Sequence, residues 1–244
     1  MQTTQPQPDP ITQFSHRVGR WVEYLVLVLA RHWLWLTNGA MLMYVGLPFL
    51  APWLLANGHT TAANTIYRLY SYACHQIPSR AYYVAGEQVA LCHRDVAIYG
   101  TLLFGGLAFG LVRRRLKPLA GRWYLLLILP MALDGGLQLV SEAGDVVPPV
   151  LVSVVGLAAL AGLALFLHRS ERLDWPWWVV LGSTLLGLSY VQFIGPYHSN
   201  VYRRTLTGFL FGFATVWLAY PYLEESFRDI KTFQAQKLGR ANSN

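Results

Sequence analysis

Residues 150–167 read VLVSVVGLAALAGLALFL, a run with no charged side chain, and this run decides the fold class. At ~1.5 Å per residue a helix of that length reaches close to the ~30 Å needed to cross the hydrocarbon core of a bilayer. Working outward from it, residues 33–56, 96–112, 122–140, 176–194 and 205–222 have similar apolar character. Hydrophobic residues make up 54% of the 244-residue chain and charged residues only 13%. A soluble domain carries about 25% charged residues. Mean hydropathy is +0.34. The expectation is an all-α, polytopic transmembrane bundle of about six spans over residues 33–222.

The net charge of +7 raises nucleic acid as a partner, but the distribution of charge points to a membrane instead. With six spans, the side bearing both termini carries 14 of the 19 Lys and Arg residues. Short basic loops stay cytoplasmic. Both termini are therefore predicted inside a multi-pass plasma-membrane protein, and Arg113-Arg114-Arg115-Leu116-Lys117 is a topology anchor in contact with membrane lipid. Met1–Pro10 is polar and shows no cleavable signal. Within the N-terminal segment, 1–32, Trp21, Tyr24, Leu25, Val28 and Leu29 recur at helical spacing. That stretch either lies in the interface as an amphipathic helix or extends the first span, with Arg31 and His32 marking a break. Residues 223–244 form a cytoplasmic tail whose end, Arg240–Asn244, is expected to fray.

Small and polar residues inside the spans suggest how the helices meet. Gly106-x-x-x-Gly110 and Gly208-x-x-x-Gly212 each permit close backbone approach, and the two helices carrying them are predicted to pair. Asp134 and Gln138 share a face at i, i+4. The last span enters the same side with Arg203, Arg204 and Thr207, so an Asp134–Arg204 or Asp134–Arg203 pair is expected. Such a pair serves as an interhelical clamp or as a proton or ligand site opening outward.

The loop 57–95 carries the most specific chemistry. Ile66, Leu69, Tyr70 and Ala73 fall on one helical face, and Pro78 and Gly86 mark a turn region before Cys92. The only two cysteines stand in Cys74-His75 and Cys92-His93. Three chemistries fit them. A disulfide would close the loop, contributing ~3 kcal/mol in the chain-entropy model. A metal site would take Cys74, His75 and Cys92, with His93, Asp95 or His198 as a further ligand and Zn as the ion. A free reactive thiol is the third.

At these residues the chain resembles a family of prokaryotic integral membrane proteins catalogued as domain of unknown function 2085. The family pattern Cys-His-Gln-x-Pro-x-Arg-Ser is matched by Cys74-His75-Gln76-Ile77-Pro78-Ser79-Arg80-Ala81. The family's Cys-x-Arg-Cys-x-Gly-Ile-Tyr is matched by Cys92-His93-Arg94-Asp95-Val96-Ala97-Ile98-Tyr99. Asp134-Gly135 with Gln138 is similar to its Asp-Gly-x-x-Gln, and Arg204-x-x-Thr207-Gly208 to its Arg-x-x-Thr-Gly. Asp95 stands where the family has a third cysteine, and Ala81 stands where it has a serine. The resemblance therefore implies a harder ligand set and excludes serine chemistry at Ala81. It also makes residues 141–196, with the fourth and fifth spans, an inserted hairpin.

A binding module would hold Zn at the outer face, with Arg80 and Arg94 supporting the ligands. An enzyme would activate water at an open metal position with Asp95, Glu87 or Asp134 as base. An accessory subunit, disulfide-stapled, would contact other membrane protein subunits through 141–196 and the N-terminal segment. A transporter reading is disfavoured by the lack of an internal repeat between the two sets of three spans.

Overall fold

The computed structural model describes residues 10–113, 115–143, 149–169 and 174–241. The polar lead-in before Pro10, Arg114 of the basic cluster and residues 242–244 of the tail lie outside the described residues. Seven helices are described: α1 Pro10–Ala56, α2 Thr60–Tyr70, α3 His93–Val112, α4 Gly121–Ala143, α5 Pro149–Arg169, α6 Trp175–Phe193 and α7 Val201–Ala241. Four reach the length and apolarity of a membrane span, over Gln13–Ala56, His93–Val112, Gly121–Glu142 and Val201–Lys237, and Val154–Arg169 of α5 is a shorter apolar helix. In α6 the residues Trp175, Pro176, Trp177, Trp178 and Gln192 dilute the hydropathy of a helix long enough to span. Leu151, Val154, Val155, Leu165 and Phe166 of α5 all face outward, as lipid rather than water as the surrounding solvent would explain.

α1, α3, α4 and α7 run alternately up and down, which places both described chain ends at one end of the bundle and α2 at the other. α1 is 47 residues long and α7 is 41. At ~1.5 Å per residue they measure about 70 and 60 Å, twice the thickness of a bilayer core. The surplus lies at the end bearing the termini, where the two helices lie antiparallel. Trp33 Nε1 donates to Glu224 over 3.0 Å, Arg113 pairs with the same carboxylate at 2.6 Å, and Lys237 meets Glu23 at 2.6 Å. Beneath this contact Trp33, Leu34, Phe109, Val216 and Tyr220 form one buried cluster. α1 is continuous through Arg31 and His32, so the N-terminal stretch extends the first span rather than lying apart from it.

The opposite end departs from the all-α expectation. Ala81–Val84 and Glu87–Cys92 form an antiparallel hairpin, β1 and β2, preceded by a 3-10 turn at Pro78–Arg80. The turn residues Ala85 (φ 53°) and Gly86 (φ 84°) both lie in the left-handed region, as a two-residue turn matched to strand twist requires. β-Propensity in Tyr82-Tyr83-Val84 and Val89 supports the strands. The hairpin and α2 cover the end of α1 over a second apolar cluster, Ala51, Tyr70, Cys74, Ala90 and Leu91.

α3 and α7 are the most closely packed pair, as expected, with the α7 glycine motif carrying more of the contact than the α3 motif. A methyl at Gly208 would stand 2.7 Å from the Arg94 carbonyl oxygen, and one at Gly212 would stand 2.8 Å from that of Ile98. α7 thus presses its glycines on the α3 backbone. Gly106 faces Asn38 of α1 and, 3.1 Å from an added methyl, the Tyr220 ring of α7, and Gly110 faces Leu34 of α1 at an ordinary 3.6 Å. The α3 motif is thus divided between α1 and α7, and Gly105, one position earlier, lies against Val216 of α7. α5 and α6 pack on α4 from the side. Replacing Gly208 or Gly212 by Ala should cost about 1–3 kcal/mol of overpacking, and Gly110→Ala far less. Melting curves in detergent that rank the three alike would contradict this geometry.

Candidate metal centre

The Cys74-His75-Gln76 turn is held from both sides. Gln76 has φ 50°, and its side-chain amide donates to the Tyr67 carbonyl over 2.7 Å, while Gln88 Nε2 donates to the Gln76 carbonyl over 2.7 Å. α2 and β2 thereby fix the direction in which Cys74 enters the cluster below. Cys92 closes β2 and precedes α3. Residues three apart share a helix face, so Asp95 turns back to Cys92 and accepts its thiol proton over 3.0 Å. The ligand atoms of Cys74, Cys92 and Asp95 all lie within 4.8 Å of one another. Both cysteines are free thiols, Cys74 buried and Cys92 half-buried.

The cluster crowds three groups that are anionic when deprotonated. The Cys92 thiol beside Cys74 holds the Cys74 pKa down at about 7, against the opposing effect of burial. Cys92 moves the other way, raised first by the Cys74 thiolate, then by burial and by Asp95. A divalent cation would relieve that crowding of negative charge. Two thiolates and a carboxylate are a credible Zn2+ set. His75 lines the same cavity, about 220 Å³ in volume, together with Gln76, Ile77 and Arg80.

Other expected ligands lie elsewhere. His93 is one position past Cys92, about 100° round the helix, where it is buried edge-on against Tyr82 with ring centroids 4.4 Å apart. His198 is exposed on the segment between α6 and α7. Neither belongs to the ligand cluster found among the described residues.

The polar residues of α4 form a ladder beside the cluster. Asp134, 5% exposed, pairs with Arg94 of α3 rather than with Arg203 or Arg204. Tyr197 Oη donates to its other oxygen over 2.8 Å, and Thr207 Oγ1 stands 3.5 Å away. Arg94 was expected to support a metal ligand; its place is set by Gly135, where an added methyl would come within 3.2 Å of the guanidinium. One turn on, Gln138 accepts from buried Arg204 over 3.0 Å and donates to Glu142 over 2.6 Å. Glu142 in turn pairs with Arg80. Arg203 is exposed, its guanidinium 5.6 Å from the Tyr197 ring centroid. The spacing Asp134, Gln138, Glu142 is i, i+4, i+8, a signal in the sequence that would have found Glu142; Tyr197 carries no such signal.

The architecture is that of a helical membrane protein with a thiol–carboxylate cluster and an arginine-rich polar ladder at one end. Residues 74–167 match the family model described as predicted membrane protein, domain of unknown function 2085. The match covers Cys74, Cys92 and Asp134, runs on into α5 within the stretch read as an insertion, and ends before Arg204. The chain is also similar to an uncharacterized protein, MJ1492, of Methanocaldococcus jannaschii, with 32% identity over 99 residues. That alignment takes in 38% of this chain and 64% of the relative, so it spans less than two thirds of that protein. No solved structure matches.

Two outcomes follow from this geometry. In metal-free protein the alkylation rate of Cys74 should rise through pH about 7, because thiol predominates below that value and thiolate above it. Cys92→Ala should move the profile toward the ordinary 9.0; an unmoved profile would remove Cys92 as the cause. Arg94→Gln should cost about 3–5 kcal/mol by stranding the Asp134 charge. Adding Asp134→Asn should recover much of that loss in a thermal melt, and failure to recover would count against the ion pair.

Proposed function

We propose that this membrane protein holds a transition-metal ion, Zn2+ by the chemistry of its ligands, between Cys74, Cys92 and Asp95 on the outer face of the membrane. The observation that carries the reading is the convergence of those three ligand atoms within 4.8 Å, from a turn, a strand end and a helix start. A disulfide would need only the two sulfurs; it gives no account of Asp95 at 3.0 Å from Cys92. His75, at the rim of the same cavity, is the fourth ligand in a structural centre. If water takes that place, the centre is open toward the cavity and suited to hydrolytic chemistry.

The outer-face assignment rests on six spans with both termini inside. α5 and α6 then cross as a pair, and the basic residues Arg113, Arg115 and Lys117 fall on the cytoplasmic side. An epitope inserted at Gly58 should be reached by antibody on spheroplasts, whereas a C-terminal fluorescent-protein fusion should fluoresce. Antibody access only after permeabilisation would reverse the topology.

The metal reading is tested on protein purified without chelators. Near-stoichiometric metal is expected, and it should fall to background in Cys74→Ser, Cys92→Ser and Asp95→Asn. Substitution with Co2+ should add thiolate charge-transfer absorption that both cysteine variants lose. Free thiol titration distinguishes the alternative: no metal together with no reactive thiol would establish a disulfide.

A subunit role is the second reading, favoured by Phe14, Trp21 and Tyr24, each more than 60% exposed on the part of α1 that outruns the bilayer. Trp21→Glu should then release a co-purifying membrane protein; co-purification that survives this change and deletion of 147–194 would rule out these surfaces, and a parent chain that carries no membrane protein with it would dismiss the role.

A further inference from the structure

A second cavity, about 290 Å³ in volume, lies beside the cysteine cluster and shares Cys92 and Arg80 with it. Its lining includes Arg80, Arg94, Arg204, Gln138 and Glu142. The three guanidiniums arrive from the 3-10 turn, α3 and α7, and each meets one rung of the α4 ladder. The outer rungs are ion pairs, Arg94 with Asp134 and Arg80 with Glu142. The middle rung is not. Arg204 is only 7% exposed, yet its acceptors are the neutral oxygens of Gln138 at 3.0 Å and of the Ser199 backbone at 3.2 Å. Arg94 Nε is buried without a partner.

We infer that this cavity is an oxyanion subsite that takes a phosphoryl group, with Arg204 as its central donor and Arg80 and Arg94 on either side. A guanidinium offers five N–H donors in a planar fork, and its bonds to phosphate oxygens are charge-assisted. Two of the Arg204 nitrogens are already committed, which leaves donors to spare beside those of its neighbours. An amide at the middle rung keeps Arg204 in position without neutralising it. A carboxylate there would complete a closed salt-bridge ladder and remove the demand for an external anion. The inference goes beyond the metal reading and does not require it. If both hold, the phosphoryl group lies next to the metal cluster, because Cys92 lines both cavities.

The phosphate could arrive free or on a lipid headgroup, since the cavity sits where α3, α4 and α7 end on the site side of the bundle. Two probes separate these sources: inorganic phosphate, and short-chain phosphatidic acid with the matching diacylglycerol as control. Each is titrated against the full chain in detergent, metal-free and metal-loaded, with binding read calorimetrically and by thermal shift. Binding of inorganic phosphate would support a soluble ligand. Binding of phosphatidic acid alone, with none of diacylglycerol, would support a lipid headgroup.

Gln138→Glu supplies the missing counter-ion without changing side-chain length and should weaken binding at least about tenfold, as expected for loss of a charge-assisted contact. Arg80→Gln, at the more exposed rung, should weaken it by a similar factor and guards against a folding defect in the first variant. The inference is overturned if neither probe binds in either metal state. It is equally overturned if both variants, folded as judged by their melts, bind like the parent chain. Metal retained by Cys74→Ser, with phosphate binding intact, would sink the metal reading and leave the subsite standing.

Discussion

The ion pair between half-buried Arg94 and buried Asp134 holds the cysteine-bearing end of this protein together. An ionised carboxylate inside an apolar bundle is costly unless it is paired and hydrogen-bonded. Asp134 meets that demand with a guanidinium from α3 and the Tyr197 hydroxyl at 2.8 Å. Each partner comes from a different part of the chain, so the charge can be satisfied only when α3, α4 and the approach to α7 are in register. The same register brings Gly208 of α7 against the backbone of Arg94, close enough that a single methyl would stand 2.7 Å from its carbonyl oxygen. The ion pair and the glycine contact therefore fix one another. Since Arg94 lies between Cys92 and Asp95, the register that satisfies Asp134 also orients two residues of the cysteine cluster.

Two kinds of apolar surface surround this polar end, and they do different work. The buried clusters around Trp33 and around Tyr70 are small, whereas much of the apolar surface faces outward. In water such exposure would drive collapse or aggregation. In lipid it costs nothing, and helix association then depends on close packing and on polar contacts between helices. That is why glycines and a ladder of polar rungs, rather than a large hydrophobic core, set the arrangement of α3, α4 and α7.

The membrane character of the fold was legible because it rests on length and composition, which a one-dimensional pattern carries in full. The cysteine cluster was legible in part. Cys92 and Asp95 share a helix face by their spacing, and the same rule turns His93 away, although its neighbour in sequence is a ligand candidate. The hairpin is hidden when Pro78 and Gly86 are taken as one turn region; Ala85-Gly86 between two strand-forming runs is its signal in the sequence. The partner of Asp134 could not be read from the chain at all. Arg94, Arg203 and Arg204 were all eligible by depth, and the choice depends on which α3 face meets α4. The small residues along both helices do not specify that.

The α4 ladder shows how one helix can divide two environments. Asp134, Gln138 and Glu142 advance by four residues, so each rung is turned about 40° from the last while rising ~6 Å. The polar stripe thus winds slowly around the helix toward its end, meeting α3 first, then α7, then the turn at Arg80. On the neighbouring face Gly136, Leu137 and Val140 line an apolar groove against α5 and α6. A stripe confined to one line would have met a single helix and paired with a single arginine. Its drift lets three elements that are distant in sequence deliver guanidiniums to one side of α4. The rung they share least symmetrically, Gln138, is the one whose side chain bears no charge. Charge on the polar side of α4 is therefore balanced at its two ends and left positive at its centre, beside the cysteine cluster.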